Sequence, residues 1–203
     1  MYTDFVSSVL IHIKLSFSSL IIAIFIGGVL GILAYKSEIL SAVLITMMNF
    51  LRMIPTLLVL ALMLPYIGIG FFPAFIALVI LAVPPILINF YTGFKNIDEA
   101  IIEAAKGMGM DEKNLFFKVE LPQAAPIILG GIKTASIEIV SAAALSAVIG
   151  AGGLGDYILT GLSIADPKYL LLGAVPISII AIITTLLFDL VHKKVVKTGS
   201  DSK

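Results

Sequence analysis

The sequence predicts an all-α fold embedded in a bilayer, with about five transmembrane helices and one polar segment folded between them. Three observations carry that expectation. Hydrophobic side chains make up 60% of the 203 residues and charged ones only 13%, about half the ~25% of a soluble domain, too little polar surface to cover a globule in water. Mean hydropathy is +1.14. Uncharged runs cover residues 15–35 and 53–94, and a helix needs about 20 apolar residues to cross a core of about 30 Å.

The same composition excludes several function classes. Thirteen basic and 13 acidic residues cancel, so no global basic field exists for nucleic acid. Cysteine is absent, which removes disulfides, thiol catalysis and cysteine metal sites together. The two histidines, His12 and His192, lie near opposite chain ends. Neither a catalytic nor a metal-binding residue is therefore expected, and the chain reads as a single transmembrane domain over 1–203.

The first span is expected at about 15–35. The start, Met1-Tyr2-Thr3-Asp4-Phe5, is not basic and the apolar run is full length, which suits a retained helix rather than a cleaved leader. Gly27 and Gly31 form a G-x-x-x-G pair, either a close helix contact or the ordinary glycine content of membrane helices. The long run that follows is too long for one crossing. Pro65, Gly68, Gly70 and Pro73 break it, giving spans of about 39–64 and 73–94, with Tyr66, Phe71 and Phe72 as interface aromatics. A polar segment occupies 95–122. A fourth span covers about 123–149, and a glycine-rich loop, 150–168, leads to a fifth at about 169–188. Five crossings place the termini on opposite sides. Lys36, Lys95, Lys106, Lys113, Lys118, Lys193, Lys194, Lys197 and Lys203 then share one side, with Lys14 and Lys168 on the other. The excess of lysine marks the cytoplasmic side, so the N-terminus faces out and the C-terminus and segment 95–122 face in. The tail from Lys193 to Lys203 reads as short and solvated.

Segment 95–122 has the chemistry of two short helices with a glycine joint. Asp98, Glu99 and Glu103 favour a helix start and Lys106 its end. Gly107 and Gly109 stop it. Asp111 caps a second short helix with Leu115, Phe116 and Val119 as its apolar side, and Pro122 suits the first turn of the next span. Ala100, Ala104 and Ala105 let another surface come close. Such an element is either a docking helix for a partner groove or an interfacial helix lying on lipid.

Here the residues resemble a family. Glu103-Ala104-Ala105, then Gly109, then Val119, Leu121 and Pro122 fit the motif EAA-x3-G-x9-I-x-LP of ABC importer permeases at every spacing, with valine where isoleucine is usual. The resemblance implies a type I importer permease fold, with this loop as the coupling helix that seats in a cleft of a separate ATP-binding subunit. Glu103, Ala104, Ala105, Gly107, Gly109, Leu121 and Pro122 would take that role. Arg52-Met53-Ile54-Pro55-Thr56, Asn89-Phe90-Tyr91-Thr92-Gly93, Ala105–Met110 and Ile149–Asp156 extend the likeness to permeases of quaternary-amine osmoprotectant importers. That implies a cargo such as glycine betaine, carnitine or choline and a bacterial or archaeal plasma membrane. It also implies an extracellular substrate-binding protein and a second permease copy or paralogue as partners, besides the bilayer. An ergothioneine-like betaine or an amino acid remains an alternative cargo, and a stand-alone secondary transporter is the alternative of another class.

Gly150, Gly152 and Gly155 also satisfy G-x-G-x-x-G, but a long apolar span precedes them where a dinucleotide site needs a strand. No G-x-x-x-x-G-K-[ST] run occurs. ATP and its magnesium therefore belong to a partner, and the chain is expected to hold no cofactor and to do no bond chemistry of its own.

Arg52 and Glu138 fall inside spans, where insertion scales put the cost at about 2.5–3.5 kcal/mol each. Glu138 shares a helix face with Thr134 and Ser141, and Gly130 continues it. With Pro55, these residues are expected at the translocation path or the subunit interface; an internal Arg52–Glu138 ion pair is the competing reading. Lys133 is expected to snorkel out. Phe90, Tyr91, Phe94, Tyr157 and Tyr169 either meet a trimethylammonium group through cation–π attraction or serve as anchors and packing.

Overall fold

The computed structural model describes residues 2–200, with side chains from 4 to 195. Lys203 and the side chain of Lys197, both assigned above to the cytoplasmic side, lie outside the described residues. Helix α1 runs Tyr2–Lys36, α2 Glu38–Met53, α3 Thr56–Ile67 and α4 Phe71–Lys95. The polar segment follows as α5, Glu99–Gly107, a single turn α6, Glu112–Leu115, and a π-helical turn Phe116–Glu120. Helix α7, Leu121–Leu145, passes through a 3₁₀ turn, Ser146–Ile149. Helices α8, Gly155–Ser163, and α9, Pro167–Ser200, complete the chain. No strand occurs among the described residues.

Among the described residues four stretches are each long and apolar enough to cross a membrane, and the bent pair α2–α3 makes a fifth if taken as one span. The fold class thus matches the sequence expectation, while individual boundaries differ for physical reasons. The span expected at 39–64 is two helices meeting at 96°. Pro55 has no N–H and disfavours helical backbone at the residue before it. Ile54 accordingly sits at φ −75°, ψ 124° and Pro55 at φ −58°, ψ 135°. Pro65, taken above as part of the break, stays inside α3. The loop expected over 150–168 contains α8. The tail from Lys193 continues α9 as helix through Ser200.

Helix α4 is the centre of the bundle. Ala74, Ala77, Leu78, Ala82, Ile86, Leu87 and Phe94 are all but sealed from solvent. Helices α1 and α7 pack on either side of it. Contact is close because α1 offers glycine: a Cβ at Gly27 would stand 2.8 Å from Ile86 Cγ2, and one at Gly31 would overlap Phe90 Cβ. The G-x-x-x-G pair is therefore a packing seam. Gly131 of α7 likewise receives the Asn89 side chain of α4. By contrast, α9 leaves Leu171, Ile182, Leu186 and Leu190 exposed, as a helix facing hydrocarbon does. The lysine-poor ends of the helices are tied together by Gly70 N–H donating to Ile149 O at 2.8 Å and by the Gly150–Gly155 loop packing on α1, where a Cβ at Gly153 would lie 3.5 Å from His12.

This seam predicts an asymmetry among glycines. Gly31→Leu should cost about 1–3 kcal/mol of stability, as overpacking of a filled core does, and lower the melting temperature of the purified protein by several degrees. Gly130→Ala, which adds a methyl to open space, should melt with the parent.

Candidate functional site

Two regions gather the residues singled out by the sequence. The first is the connecting segment between α4 and α7. Asp98 caps α5, its carboxylate accepting from Ala100 N–H at 2.9 Å. At the other end Gly109 stands at φ +80°. Gly109 N–H donates to Lys106 O at 2.9 Å and Met110 N–H to Ala105 O at 3.2 Å, the paired bonds of a Schellman stop. Gly109 thus ends the helix, and Gly107 is simply its last residue. Asp111 precedes α6 without a capping bond to its backbone. Its carboxylate instead accepts from the Asn114 side-chain amide, which holds it below the usual carboxylate range.

One face of α5 is fixed and the other free. Ala105 is buried and Ile102 packs on the core. Glu103, Ala104, Lys106, Gly107 and Gly109 are exposed, and Met108 is 78% exposed. Leu121 packs against the core and Pro122 opens α7. An aromatic stack joins this segment to the spans. Tyr35 at the end of α1 stacks on Phe94 of α4 at 5.2 Å, and Phe94 stacks on Phe116 at 5.5 Å, with Phe117 edge-on beyond it at 5.1 Å. Tyr35 O–H also donates to Glu120 Oε1 at 3.4 Å. Sequence reasoning placed Phe116 on an apolar helix face but did not find the stack. Its members come from three elements, so no local spacing encodes it.

The second region is an open cavity of about 480 Å³ beside the α2–α3 bend, lined in part by Arg52, Thr56, Pro84, Glu138, Ser141 and Leu145. Arg52, Pro55, Thr134, Glu138 and Ser141 are all exposed. Thr134 O–H is satisfied within its helix, donating to Gly130 O at 3.0 Å. The charge of Arg52 acts on Glu138, yet among the described residues the two make no direct ion pair. On α2, Asn49 and Thr46 are exposed about one and two turns before Arg52; the sequence alone did not single out this second polar stripe.

Other expected residues lie elsewhere. Lys133 Nζ meets Asp189 Oδ1 of α9 at 2.5 Å. Phe90 closes on Gly28 and Gly31. Tyr157 stacks on Tyr169 at 6.4 Å and meets Phe5 edge-on at 5.6 Å. None of these rings, nor Phe94, lines the cavity. His12 is buried with Nε2 3.1 Å from Val140 O, and no cluster of metal-binding side chains occurs among the described residues. Gly150, Gly152 and Gly153, all at positive φ, follow a 3₁₀ turn rather than a strand.

Residues 7–197 match the family described as "Binding-protein-dependent transport system inner membrane component". The chain is similar to the choline transport system permease protein OpuBB of Bacillus subtilis (strain 168), 36% identical over 188 residues that cover 93% of this chain and 87% of the relative. It is similar to the glycine betaine/carnitine/choline transport system permease protein OpuCB of the same organism, 37% identical with the same coverage. In fold it resembles a chain of the MetNI methionine ABC transporter solved in inward-facing conformations. The TM-score is 0.85 at 24% identity, covering 96% of this chain and 97% of that one.

The aromatic stack is expected to hold the connecting segment against proteolysis. Phe94→Ala should let trypsin cut at Lys106, Lys113 or Lys118 several times faster in open membrane fragments, while Phe72→Ala, a ring 62% exposed at the far end of the bundle, should leave the rate unchanged.

Proposed function

Because the chain belongs to the family of binding-protein-dependent transport system inner membrane components, a multi-pass permease subunit of an ABC importer, we propose that its cargo is a quaternary-amine osmoprotectant such as glycine betaine, carnitine or choline. The similarity to choline and betaine permeases over nearly the whole chain supports that cargo class. In this reading the N-terminus faces out and the lysine-rich ends of the helices face the cytoplasm. A separate ATP-binding subunit, which alone carries ATP and magnesium, docks on segment 95–122. A substrate-binding protein delivers cargo from outside, and a second permease copy or paralogue completes the pathway.

The observation that carries the docking role is the division of α5 into two faces. Ile102 packs on the core of the bundle and Ala105 is buried. Glu103, Ala104, Lys106 and Met108 are left uncovered around a helix that both its cap and its glycine stop hold rigid. A small residue at the centre of an uncovered face admits a partner surface closely. Closure of the ATPase on ATP then displaces α5, and the displacement passes into α4 and α1 through the aromatic stack and into α7 through the π-turn. This is a mechanical link between two packed states. The exposed stripes of α2 and α7, with Arg52, Pro55, Thr134, Glu138 and Ser141, would form this chain's half of the pathway or of the contact with the second permease.

Ala104→Trp should abolish co-purification of the ATP-binding subunit and ATP-driven uptake while the permease still inserts. Gly109→Val, forced into a left-handed backbone at about 1–2 kcal/mol, should weaken both several-fold. The permease reconstituted without partners should move no cargo. Proton- or sodium-driven uptake by the lone chain would replace this reading with a secondary transporter.

A further inference from the structure

The cargo class above does not say which charges the path itself recognises, and the cavity between α2, α4 and α7 bears on that question. Its volume of about 480 Å³ falls in the ~300–1,000 Å³ range of small-molecule sites. Its wall is aliphatic apart from Thr56, Ser141 and one charge of each sign, Arg52 and Glu138. The two charges come from different elements, α2 and α7, that meet at this cavity. Arg52 lies about 22 Å and Glu138 about 26 Å along their helices from the lysine-rich ends, at 1.5 Å per residue. Each is exposed to the cavity. The field of Arg52 reaches Glu138, but the side chains do not close on each other.

A closed ion pair would offer a ligand nothing. Two opposite charges that share an apolar cavity without pairing are the complement of a molecule that carries both. A guanidinium presents several N–H donors to a carboxylate. A quaternary ammonium has no N–H to donate, so a carboxylate attracts it through charge alone. We propose that this cavity is a zwitterion subsite, in which Arg52 receives the carboxylate of a betaine and Glu138 faces its quaternary ammonium. The proposal rests on the quaternary-amine reading of the cargo. Among the described residues no aromatic ring lines the cavity, so they build no cation–π cage of the kind that grips trimethylammonium groups tightly. Weak holding suits a station on a path, where cargo must leave. A cation without a carboxylate loses the Arg52 half of the interaction, so the path favours betaines over choline-like cations.

The test uses proteoliposomes holding the whole importer, with ATP inside and the binding protein outside, and compares uptake of labelled glycine betaine and labelled choline. Arg52→Gln should cut betaine uptake at least tenfold more than choline uptake, and Arg52→Lys should restore most of the difference. Glu138→Gln should lower both. Arg52→Met is read in the same way, so failure of one variant to assemble, checked by co-purification with the ATP-binding subunit, leaves the comparison standing. Equal losses of the two cargoes in the Arg52 variants would overturn the subsite and leave the cargo class intact. Wild-type uptake of choline but not betaine would also overturn the subsite alone. Wild-type uptake of neither compound would overturn the cargo class and the subsite with it.

Discussion

Helix α4 can seat both its neighbours closely only because glycine stands where a side chain would clash. Gly27 and Gly31 of α1 admit Ile86 and Phe90, and Gly131 of α7 admits Asn89. In a bilayer, where lipid tails are as apolar as leucine, such close packing rather than hydrophobic expulsion holds helices together. At its end α4 carries Phe94, 1% exposed, which stacks between Tyr35 and Phe116. The connecting segment is therefore fastened to α1 and α4 by rings and to α7 by continuous backbone. Displacing it means displacing the middle of the bundle.

That arrangement gives the polar surface of the spans its meaning. Arg52, Glu138, Thr134 and Ser141 are costly in hydrocarbon, and the chain does not cover them itself. Lys133 and Asp189 show the other solution, a direct pair between α7 and α9. One fold thus treats its intramembrane charges in two ways. It neutralises the pair between α7 and α9, and it leaves the pair beside the α2–α3 bend apart and open. The hinge at Pro55, next to the open pair, ties the shape of that cavity to the angle between two helices.

Much of this was legible in the sequence, and the limits have physical causes. The apolar runs predicted the spans because an uninterrupted run of about 20 apolar residues satisfies its backbone in lipid as a helix. The connecting segment could be read because its cap, its small residues and its glycine stop are local devices: Asp98 and Gly109 act as expected, with Gly109 alone making the stop. Pro55 was visible but sat in an uncharged run, where hydropathy hides a break; the 96° bend follows from its missing N–H. Helix α8 was hidden among glycines whose positive φ values serve the turn just before it. The aromatic stack and the Lys133–Asp189 pair join residues far apart in sequence, which periodicity along one helix cannot show. Polar residues along α7 were readable as one face, but that Arg52 stands across from them without pairing required the fold.

If the connecting segment drives the bundle, its motion reaches the polar cavity through this packed frame. The chain has no cysteine, so Ser141→Cys places a single thiol of this subunit on the cavity wall. Its modification by a membrane-impermeant reagent added outside should be measured in the reconstituted importer, with and without a non-hydrolysable ATP analogue. A several-fold faster reaction is expected once the ATPase is closed. An identical rate in both states would contradict it.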